Sequence, residues 1–579
     1  MIKAVRCDQE SFRDVEFTSG LNVVLAERAD TSTEKDSRNG LGKSTLIEII
    51  RFCFGSGPHK DAGIFSVKVL GWTYSLEMII QGQTLIISRR TDDPRTVIVN
   101  SSFDYETLET LSSDPVETQL STEKWREFLG KVMFDLHPTS DRNYVPTFGS
   151  LIAYFTRATK DAYTFPFDQH RKQLEWDKQV NNAFLLGLAW EDASDLQDMK
   201  EEKADLELRT RLLAQQVQGN PKKLLGVMEA NRVQLMQKLS QEERALRSFQ
   251  VHPRYRDIND RVDKLTEAIH AQVNANVADS QIIELYQTSD VSDEMDTEQL
   301  TRLYEEADVV LPEIVQRRLS DVREFHQQVI LNRQNFLVNE ISRLQRQVVA
   351  RTREIESMSE ERAANMVILE THGALGEYNR LQKLSLDARF NLSILENQIN
   401  EIRGLEQRKS QFRIELEQLQ QRMRDDYDAR SNQRQQAIEI FNSNSEIIYD
   451  VQGTLIINVA DTGFKFDVII KRDGSDGIGN MKVFCYDLML AELWSEKSSS
   501  PGFLIHDSII FDGVDERQVK NALELAASTS KDQNFQYICT INSDNVPYNE
   551  FSSNFDFNQY VRLILTDDTE AGGLLGIRF

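Results

Sequence analysis

The residues with the clearest chemistry lie in the stretch DSRNGLGKST, residues 36–45. Its Gly-Lys-Ser ending is typical of a phosphate-binding loop, where backbone N–H groups at the start of a helix surround phosphate oxygens. We therefore predict a nucleotide site here. The residues assigned to it are Asn39, Gly40, Leu41, Gly42, Lys43, Ser44 and Thr45.

This loop departs from the usual pattern at Ser37, which stands where the first glycine is expected. The context nevertheless favours a nucleotide site, because the β-rich run GLNVVLAE precedes the loop and apolar residues recur with helical spacing after it. Lys43 is then expected to pair with the β and γ phosphates of ATP, and Ser44 to bind Mg²⁺. The alternative is a glycine-containing turn before an ordinary helix.

A site of this kind also needs an acidic residue at the end of a second hydrophobic strand, where it binds the metal ion. The run Phe503, Leu504, Ile505 predicts such a strand, and Asp507 follows it. We therefore expect Ser44 and Asp507 to hold Mg²⁺ together, although most of the chain separates them.

The elements that must position these residues fall into two mixed regions. Residues 1–185 combine β-rich runs with a helical run, which predicts an α/β lobe containing the phosphate-binding loop. The β character returns at residues 436–579, where TLIINVADTGFKFDVIIK predicts two strands joined by an Asp-Thr-Gly turn. The chain is thus predicted to be a lobe, an intervening segment and a second lobe.

Residues 186–435, the intervening segment, are predicted to form a coiled-coil arm that extends outward, turns and returns. Apolar residues occupy ten of thirteen positions spaced alternately three and four apart. A stack of helical repeats is the alternative, and residues 253–315 gave no prediction. The thirteen positions are Leu381, Leu384, Ala388, Asn391, Leu395, Gln398, Ile402, Leu405, Lys409, Phe412, Leu416, Leu419 and Met423.

Composition limits the classes of partner. The net charge of −25 argues against a protein that coats nucleic acid, so any DNA contact must be local. Residues 317–353 carry eight arginines against three acids and are the candidate DNA contact, with a solvated coiled-coil face as the alternative. Arg89 and Arg90, at a strand end, are expected to be surface charges, with contact to phosphate or DNA as the alternative.

Four scattered cysteines and an N-terminus without a long apolar run predict a cytoplasmic protein with no membrane partner.

Several motifs together resemble a known family: DSRNGLGKST, FCFG, GIGNMKVFCYDL, FLIHDSIIFDGVDERQ and TINSD. They are similar to the YydD-like family of short SMC-type ATPases, within the SMC, RecN and RecF group of ABC-type ATPases. The resemblance covers both lobes, about half the chain. It implies an α/β ABC-type ATPase head built from the N- and C-terminal lobes, with an inserted antiparallel coiled-coil arm.

The resemblance further implies that two heads of this protein dimerise around ATP. A signature motif of one head would then contact the γ-phosphate bound by the other. The matching stretch is SDGIGNMKVFCYDL, which assigns this role to Ser475, Gly477, Gly479 and Asn480. The usual Ser-Gly-Gly core is absent, and a plain turn before a helix is the alternative.

The glutamate that normally follows the metal-binding aspartate is replaced by Ser508, which cannot act as the same general base. The predicted catalytic residues are therefore Asp507, the nearby Asp512 and Asp515, and Asn542 at the place of a γ-phosphate sensor. Asn542 has the alternative role of capping a turn. We predict slow hydrolysis, with ATP acting as a clamp.

Two functions follow from the resemblance. The first is an SMC-like ATPase that senses or clamps DNA and controls an effector in anti-phage defence, because the family includes ATPase components of three-component ABC systems suspected of that role. An effector and accessory subunits encoded nearby are the implied partners. The alternative is a DNA repair or genome-maintenance ATPase of the RecN/SMC type.

Overall fold

The structure is a computed structural model that forms two compact units. Unit 1 comprises Met1–Lys200, Val310–Val322 and Leu416–Phe579, and unit 2 comprises Glu201–Val309 and Arg323–Glu415. Both predicted lobes lie within unit 1. The residues that the structure describes are 1–27, 41–57, 63–101, 118–137, 142–157, 159–216, 219–249, 253–289, 313–370, 375–470 and 476–577.

The strands of the described residues all belong to unit 1. They are β1 (Ile2–Cys7), β2 (Val15–Glu16), β3 (Gly20–Glu27), β4 (Thr73–Ile80), β5 (Gln83–Arg90), β6 (Thr96–Ser101), β7 (Thr118–Ser121), β8 (Thr156–Arg157), β9 (Thr454–Ala460), β10 (Gly463–Ile469), β11 (Phe503–His506), β12 (Gln536–Asn542) and β13 (Val561–Thr566).

These strands form two larger sheets and a hairpin. The first sheet has the order β2-β1-β4-β5-β6-β7 with antiparallel pairing. The second has the order β13-β3-β12-β11-β8, and its pairs are parallel. Strands β9 and β10 pair across a two-residue turn at Asp461 and Thr462, which confirms the predicted hairpin.

The helices of unit 1 and unit 2 differ in length. Unit 1 contains α1 (Lys43–Cys53), α2 (Thr122–Phe134), α3 (Phe148–Ile152), α4 (Glu175–Leu185), α10 (Ser431–Tyr449), α11 (Asp476–Ser495) and α12 (Glu516–Asp532). The long helices are α5 (Trp190–Gln216), α6 (Pro221–Ser248), α7 (Pro253–Ser289), α8 (Glu313–Glu370) and α9 (Leu375–Ala429).

Strand β3 and helix α1 form the part of unit 1 that carries the loop. The first seven residues of β3 are buried, as expected for a central parallel strand. In α1 the predicted apolar face, including Leu46, Ile49 and Ile50, is buried. Gly55 follows with a φ of 99°, a left-handed conformation that suits glycine and ends the helix as predicted.

The helices of unit 2 pair in an antiparallel manner. Arg403 of α9 contacts Glu229 of α6, whereas Arg389, earlier in α9, contacts Glu243 near the end of α6. Ile402 of α9 packs with buried residues of the two preceding outgoing helices, α5 and α6. The outgoing and returning segments predicted for the arm therefore run side by side within this unit.

The prediction of an apolar stripe along α9 is wrong near the N-terminus of this helix. Leu384 is 37% exposed, whereas Gln382 and Ser385 are buried. The physical reason is a polar cluster: the Gln382 amide donates to Asp263 of α7 at 3.0 Å. Side-chain hydrogen bonds thus compensate the burial of polar residues where the spacing of leucines indicated an apolar contact.

Among the residues that the structure describes, no helix is both long enough and apolar enough to cross a membrane.

Candidate functional site

The carboxyl ends of three parallel strands meet at one edge of the second sheet. Strand β12 lies between β3 and β11, with Asn542 opposite Ala26 and Cys539 opposite His506. Ligands of parallel α/β sheets bind at this edge, outside the strand ends. The pairing therefore brings Asp507 and Asn542 to the same edge of the sheet as the last residues of β3.

The described part of the phosphate-binding loop leads directly into α1. Gly42 has φ 93° and ψ 16° and precedes the first helical residue. A Cβ added at Gly42 would lie 2.7 Å from the Cβ of Leu574, so the position requires glycine both for its φ and for its space. Asn39 and Gly40 lie outside the described residues, and their roles stay predictions.

Ser44 and Asp507 are in direct contact. The Ser44 hydroxyl donates to Oδ2 of Asp507 at 2.6 Å. Asp507 is only 1% exposed, and burial raises the pKa of its carboxyl, while the hydrogen bond from Ser44 opposes that rise. The two residues predicted to hold Mg²⁺ are thus adjacent, and one supplies a buried carboxylate.

Lys43 and Asn542 form the second contact across the edge. The Lys43 ammonium donates to Oδ1 of Asn542 at 2.6 Å, and the lysine is only 6% exposed. Asn542 is the last residue of β12. The residue predicted as a γ-phosphate sensor therefore lies beside the residue predicted to pair with the phosphates.

Neighbouring strands and loops hold Asp507 in place. Its backbone N–H donates to the Tyr163 hydroxyl at 2.8 Å, and that hydroxyl donates to the Arg157 carbonyl at 2.7 Å. The Ser508 hydroxyl donates to Oδ1 of Asp507 at 3.0 Å, and the Ser508 N–H donates to the Thr540 hydroxyl at 2.9 Å. The carboxylate is therefore held by hydrogen bonds on both oxygens.

A buried charged network lies directly behind this aspartate, and the sequence did not predict it. Asp487 of α11 accepts two hydrogen bonds from Arg157, at 2.5 and 2.8 Å, and both side chains are fully buried. His506 lies 3.0 Å from Asp487 and 3.0 Å from the Tyr537 hydroxyl. Burial lowers the pKa of His506, which favours the neutral ring despite the nearby carboxylate.

The signature-like residues lie at the start of α11. Gly477, Gly479 and Asn480 fall within its first five residues, at or next to the first turn, whose N–H groups lack intrahelical partners. The Asn480 amide donates to the carbonyl of Ile509 at 2.9 Å and to that of Asp512 at 3.1 Å. Asn480 therefore supports the segment after Asp507, and Ser475 lies outside the described residues.

The two other acidic candidates have local structural contacts. Asp515 caps α12, because its side chain accepts from the Arg517 N–H at 3.1 Å. Asp512 accepts from the Asn545 amide at 3.3 Å. Their predicted catalytic roles stay predictions.

Two of the arginines in the candidate DNA-binding stretch form ion pairs within unit 2. Arg351 of α8 contacts Asp279 of α7 at 2.6 Å, and Arg343 pairs with Glu340 one turn away. The Arg346 guanidinium donates to the carbonyl of Ser342 at 3.1 Å. Contacts of this kind fit the solvated coiled-coil face, the alternative for this stretch, and the DNA contact stays a prediction.

Comparison with known proteins finds similarity to a family model and to a curated protein. A family model described as "Uncharacterised protein conserved in bacteria (DUF2326)" matches residues 444–579, which include β11, β12 and Asp507. The "Uncharacterized protein YydD" of Bacillus subtilis (strain 168) is 19% identical over 601 residues, covering 99% of this chain and 98% of YydD. The predicted resemblance to the YydD-like family is confirmed.

Two solved structures show a weaker likeness. The Smc head domain with a coiled coil and joint from Pyrococcus yayanosii is 13% identical, with 99% and 96% of the two chains covered and a TM-score of 0.36. The Smc head domain with an extended coiled coil from Pyrococcus furiosus, bound to the C-terminal domain of ScpA, is 12% identical, with 95% and 91% covered and a TM-score of 0.32.

Proposed function

We propose that this chain binds ATP with Mg²⁺ at the carboxyl edge of the parallel sheet and hydrolyses it slowly. One observation carries the proposal: the start of α1 is joined to the ends of two neighbouring strands by the Ser44–Asp507 and Lys43–Asn542 contacts, each 2.6 Å long. A glycine-containing turn before an ordinary helix would not require these polar contacts.

The residues present fit a magnesium ion. Mg²⁺ prefers oxygen ligands and is usually held by one or two protein groups together with water and phosphate oxygens. The Ser44 hydroxyl and the Asp507 carboxylate supply such oxygens, and the buried carboxylate gains a cation that offsets its desolvation. When bound, Mg²⁺ would be held by Ser44 and Asp507 and would supply positive charge that offsets the negative charge of the phosphates.

The remaining groups fit the phosphates of ATP. Backbone N–H groups at the start of α1 and the Lys43 ammonium offer positive charge at one point. Turning Lys43 to a phosphate would break its contact with Asn542, which would leave the Asn542 side chain available at the end of β12. There it can orient a water molecule for attack.

Slow hydrolysis is supported by the hydrogen bond that the Ser508 hydroxyl makes. Its hydroxyl already donates to Asp507 at 3.0 Å, and a hydroxyl is a poor general base at neutral pH. We therefore propose that ATP acts as a clamp that joins two heads, with Gly477, Gly479 and Asn480 of one head facing the nucleotide of the other. This dimer rests on the family resemblance.

The family resemblance also supports a proposed role in anti-phage defence. The ATP-bound dimer would sense or clamp DNA and thereby control a separate effector encoded nearby. ATP turnover measured with and without linear DNA tests the first part. Stimulation by DNA would support a DNA-triggered clamp, whereas unchanged turnover would contradict it.

The experiment that tests ATP binding compares two lysines. Lys43→Ala should weaken ATP binding roughly 10- to 100-fold, because a charge-assisted contact contributes about 1.5–3 kcal/mol. Lys531→Ala, which removes an exposed lysine at the end of α12, serves as the matched control and should bind like the original chain. Equal ATP affinity of the Lys43 variant and the control, or no binding by the original chain, would contradict the proposal.

A further inference from the structure

Residues 572–576, Gly-Gly-Leu-Leu-Gly, which we name the Gly-Leu segment, lie against the phosphate-binding loop within unit 1. The Leu574 N–H donates to the Leu41 carbonyl at 2.9 Å, and the Leu574 side chain is fully buried. Its Cβ lies where it would be 2.7 Å from any Cβ at Gly42. The segment therefore fills the space beside Leu41 and Gly42, the described end of the loop before α1.

The hydrogen bond from Leu574 controls a donor of the nucleotide site. In a trans peptide the carbonyl and the following N–H point in opposite directions, and the described residues contain no cis peptide. Fixing the Leu41 carbonyl towards Leu574 therefore also fixes the Gly42 N–H, which points to the other side. That N–H is one of the groups that a phosphate-binding loop presents to phosphate oxygens.

The far side of the Gly-Leu segment is anchored to the connection between β1 and β2. The Arg13 N–H donates to the Leu574 carbonyl at 2.9 Å, and the Arg13 guanidinium donates to the Gly572 carbonyl at 3.0 Å. The Ser11 hydroxyl donates to the Leu575 carbonyl at 3.0 Å. The segment is thus held on one side while it holds the loop on the other.

Gly576 allows the Gly-Leu segment to lie close to Ser11. Its φ is 64°, and a Cβ added there would lie 2.0 Å from the Ser11 carbonyl oxygen. A side chain at this position would therefore have to push the segment away from its anchor. Gly82, in the turn between β4 and β5, has a similar φ of 80° but open space around it.

We propose that the Gly-Leu segment is a positioning element of the nucleotide site. It holds the Leu41–Gly42 peptide in the orientation that a phosphate needs before ATP arrives. Such preorganisation raises affinity because the loop loses less freedom on binding. This inference rests on the proposed ATP binding, and Leu574 acts through the loop rather than on reacting atoms.

The first test compares Gly576→Ala with Gly82→Ala in the full chain with Mg²⁺. Both variants carry the same φ strain, but only the first displaces the segment. We expect ATP and ADP affinity to fall roughly tenfold or more in Gly576→Ala, because small misplacements at a site are costly. Gly82→Ala should stay within about twofold of the original chain. Thermal unfolding identifies any variant that does not fold.

A second test removes one hydrogen bond and keeps every side chain. Replacing Leu574 by its α-hydroxy acid through nonsense suppression converts its N–H to an ester oxygen. We expect roughly three- to tenfold weaker ATP binding, equivalent to one net hydrogen bond. The control is the same change at Val546, whose N–H donates to Ser543 at 3.2 Å in a local turn.

The outcomes of these tests distinguish the proposed ATP binding from the positioning role of the Gly-Leu segment. If the original chain does not bind ATP, both the proposed function and this inference fail. If the original chain binds ATP and the folded Gly576→Ala and Leu574 ester variants bind it equally well, only the inference is overturned. If Gly576→Ala does not fold, the Leu574 ester alone decides.

Discussion

The two sides of the candidate site differ in how their polar groups are used. On the binding side, Lys43 and Ser44 reach across the sheet edge to Asn542 and Asp507. The hydrolysis side comprises Asn480 and the residues that follow Asp507. Its polar side chains make contacts that stabilise the local backbone. Asn480 supports backbone carbonyls, and Asp515 caps a helix.

This difference bears on the balance between ATP binding and ATP hydrolysis. Groups that already lie together at the expected phosphate position need only local side-chain changes on binding, such as the turn of Lys43 away from Asn542. A set whose hydroxyl and carboxylates are engaged elsewhere offers no obvious base to activate water. The comparison therefore favours a protein that holds ATP well and hydrolyses it slowly.

The largest effect is expected in the buried network beneath the binding side. Asp487→Asn leaves the fully buried Arg157 without its counter-charge and should lower the free energy of unfolding by roughly 3–5 kcal/mol. The matched control is Asp461→Asn, whose carboxylate is 80% exposed and lies 3.4 Å from Arg424. That change should cost less than about 1 kcal/mol in chemical denaturation. Equal losses would show that the network does not stabilise unit 1.

Asp507→Asn tests the binding side itself. The substitution keeps the size of the side chain but removes the charge expected to hold Mg²⁺, so ATP turnover should fall roughly 100-fold, about 2.7 kcal/mol of activation free energy. Steady-state phosphate release measures this effect. Turnover that survives the change would mean that the metal lies elsewhere.

Glu492→Gln tests helix α11, which begins on the hydrolysis side. Burial raises the pKa of Glu492 to about 7, although the Asn444 amide donates to it. A carboxyl whose pKa is raised on folding stabilises the fold fully below about pH 4.5, and this contribution is lost as pH rises through about 7. The glutamine variant should therefore gain roughly 1–3 kcal/mol relative to the original chain between pH 5 and pH 8.

Thermal unfolding at both pH values checks this prediction. Glu439→Gln, which alters an exposed acid on α10, is the control and should show no such gain. A pH-independent difference between the Glu492 variant and the original chain would contradict it.

The smallest effect is expected from Asp515→Ala. Loss of a helix cap should cost about 1 kcal/mol of stability. Turnover should remain, because no contact joins Asp515 to the described binding-side residues. Abolished turnover in a folded variant would instead identify Asp515 as the replacement for the missing glutamate.

Local patterns predicted the parts of the fold that depend on neighbouring residues. The hairpin at Asp461 and Thr462, helix α1 and its end at Gly55 all follow from spacing and turn chemistry. Asp507 was predicted because it follows an apolar run, and the structure shows that run as β11, paired with β12. Sequence patterns were sufficient where residues close together in the sequence determine the structure.

Contacts between distant residues were not predicted. Arg89 was expected on the surface, but it is 1% exposed and its guanidinium donates to the Ser56 carbonyl at 2.9 Å and lies over the Phe52 ring. That expectation was wrong because backbone carbonyl partners leave no trace in the sequence. The contact of Leu574 with Leu41 was missed for the same reason. The pair of Arg157 with Asp487 was missed because 330 positions separate the two residues in the sequence.

The most direct test of the central claim is ATP turnover by the full chain, divided by the number of ATP molecules bound per chain in the same preparation with Mg²⁺. The account predicts close to one ATP bound per chain and turnover far below about 10 per second, the median for enzymes. Turnover at or above that rate, or no bound ATP, would contradict it.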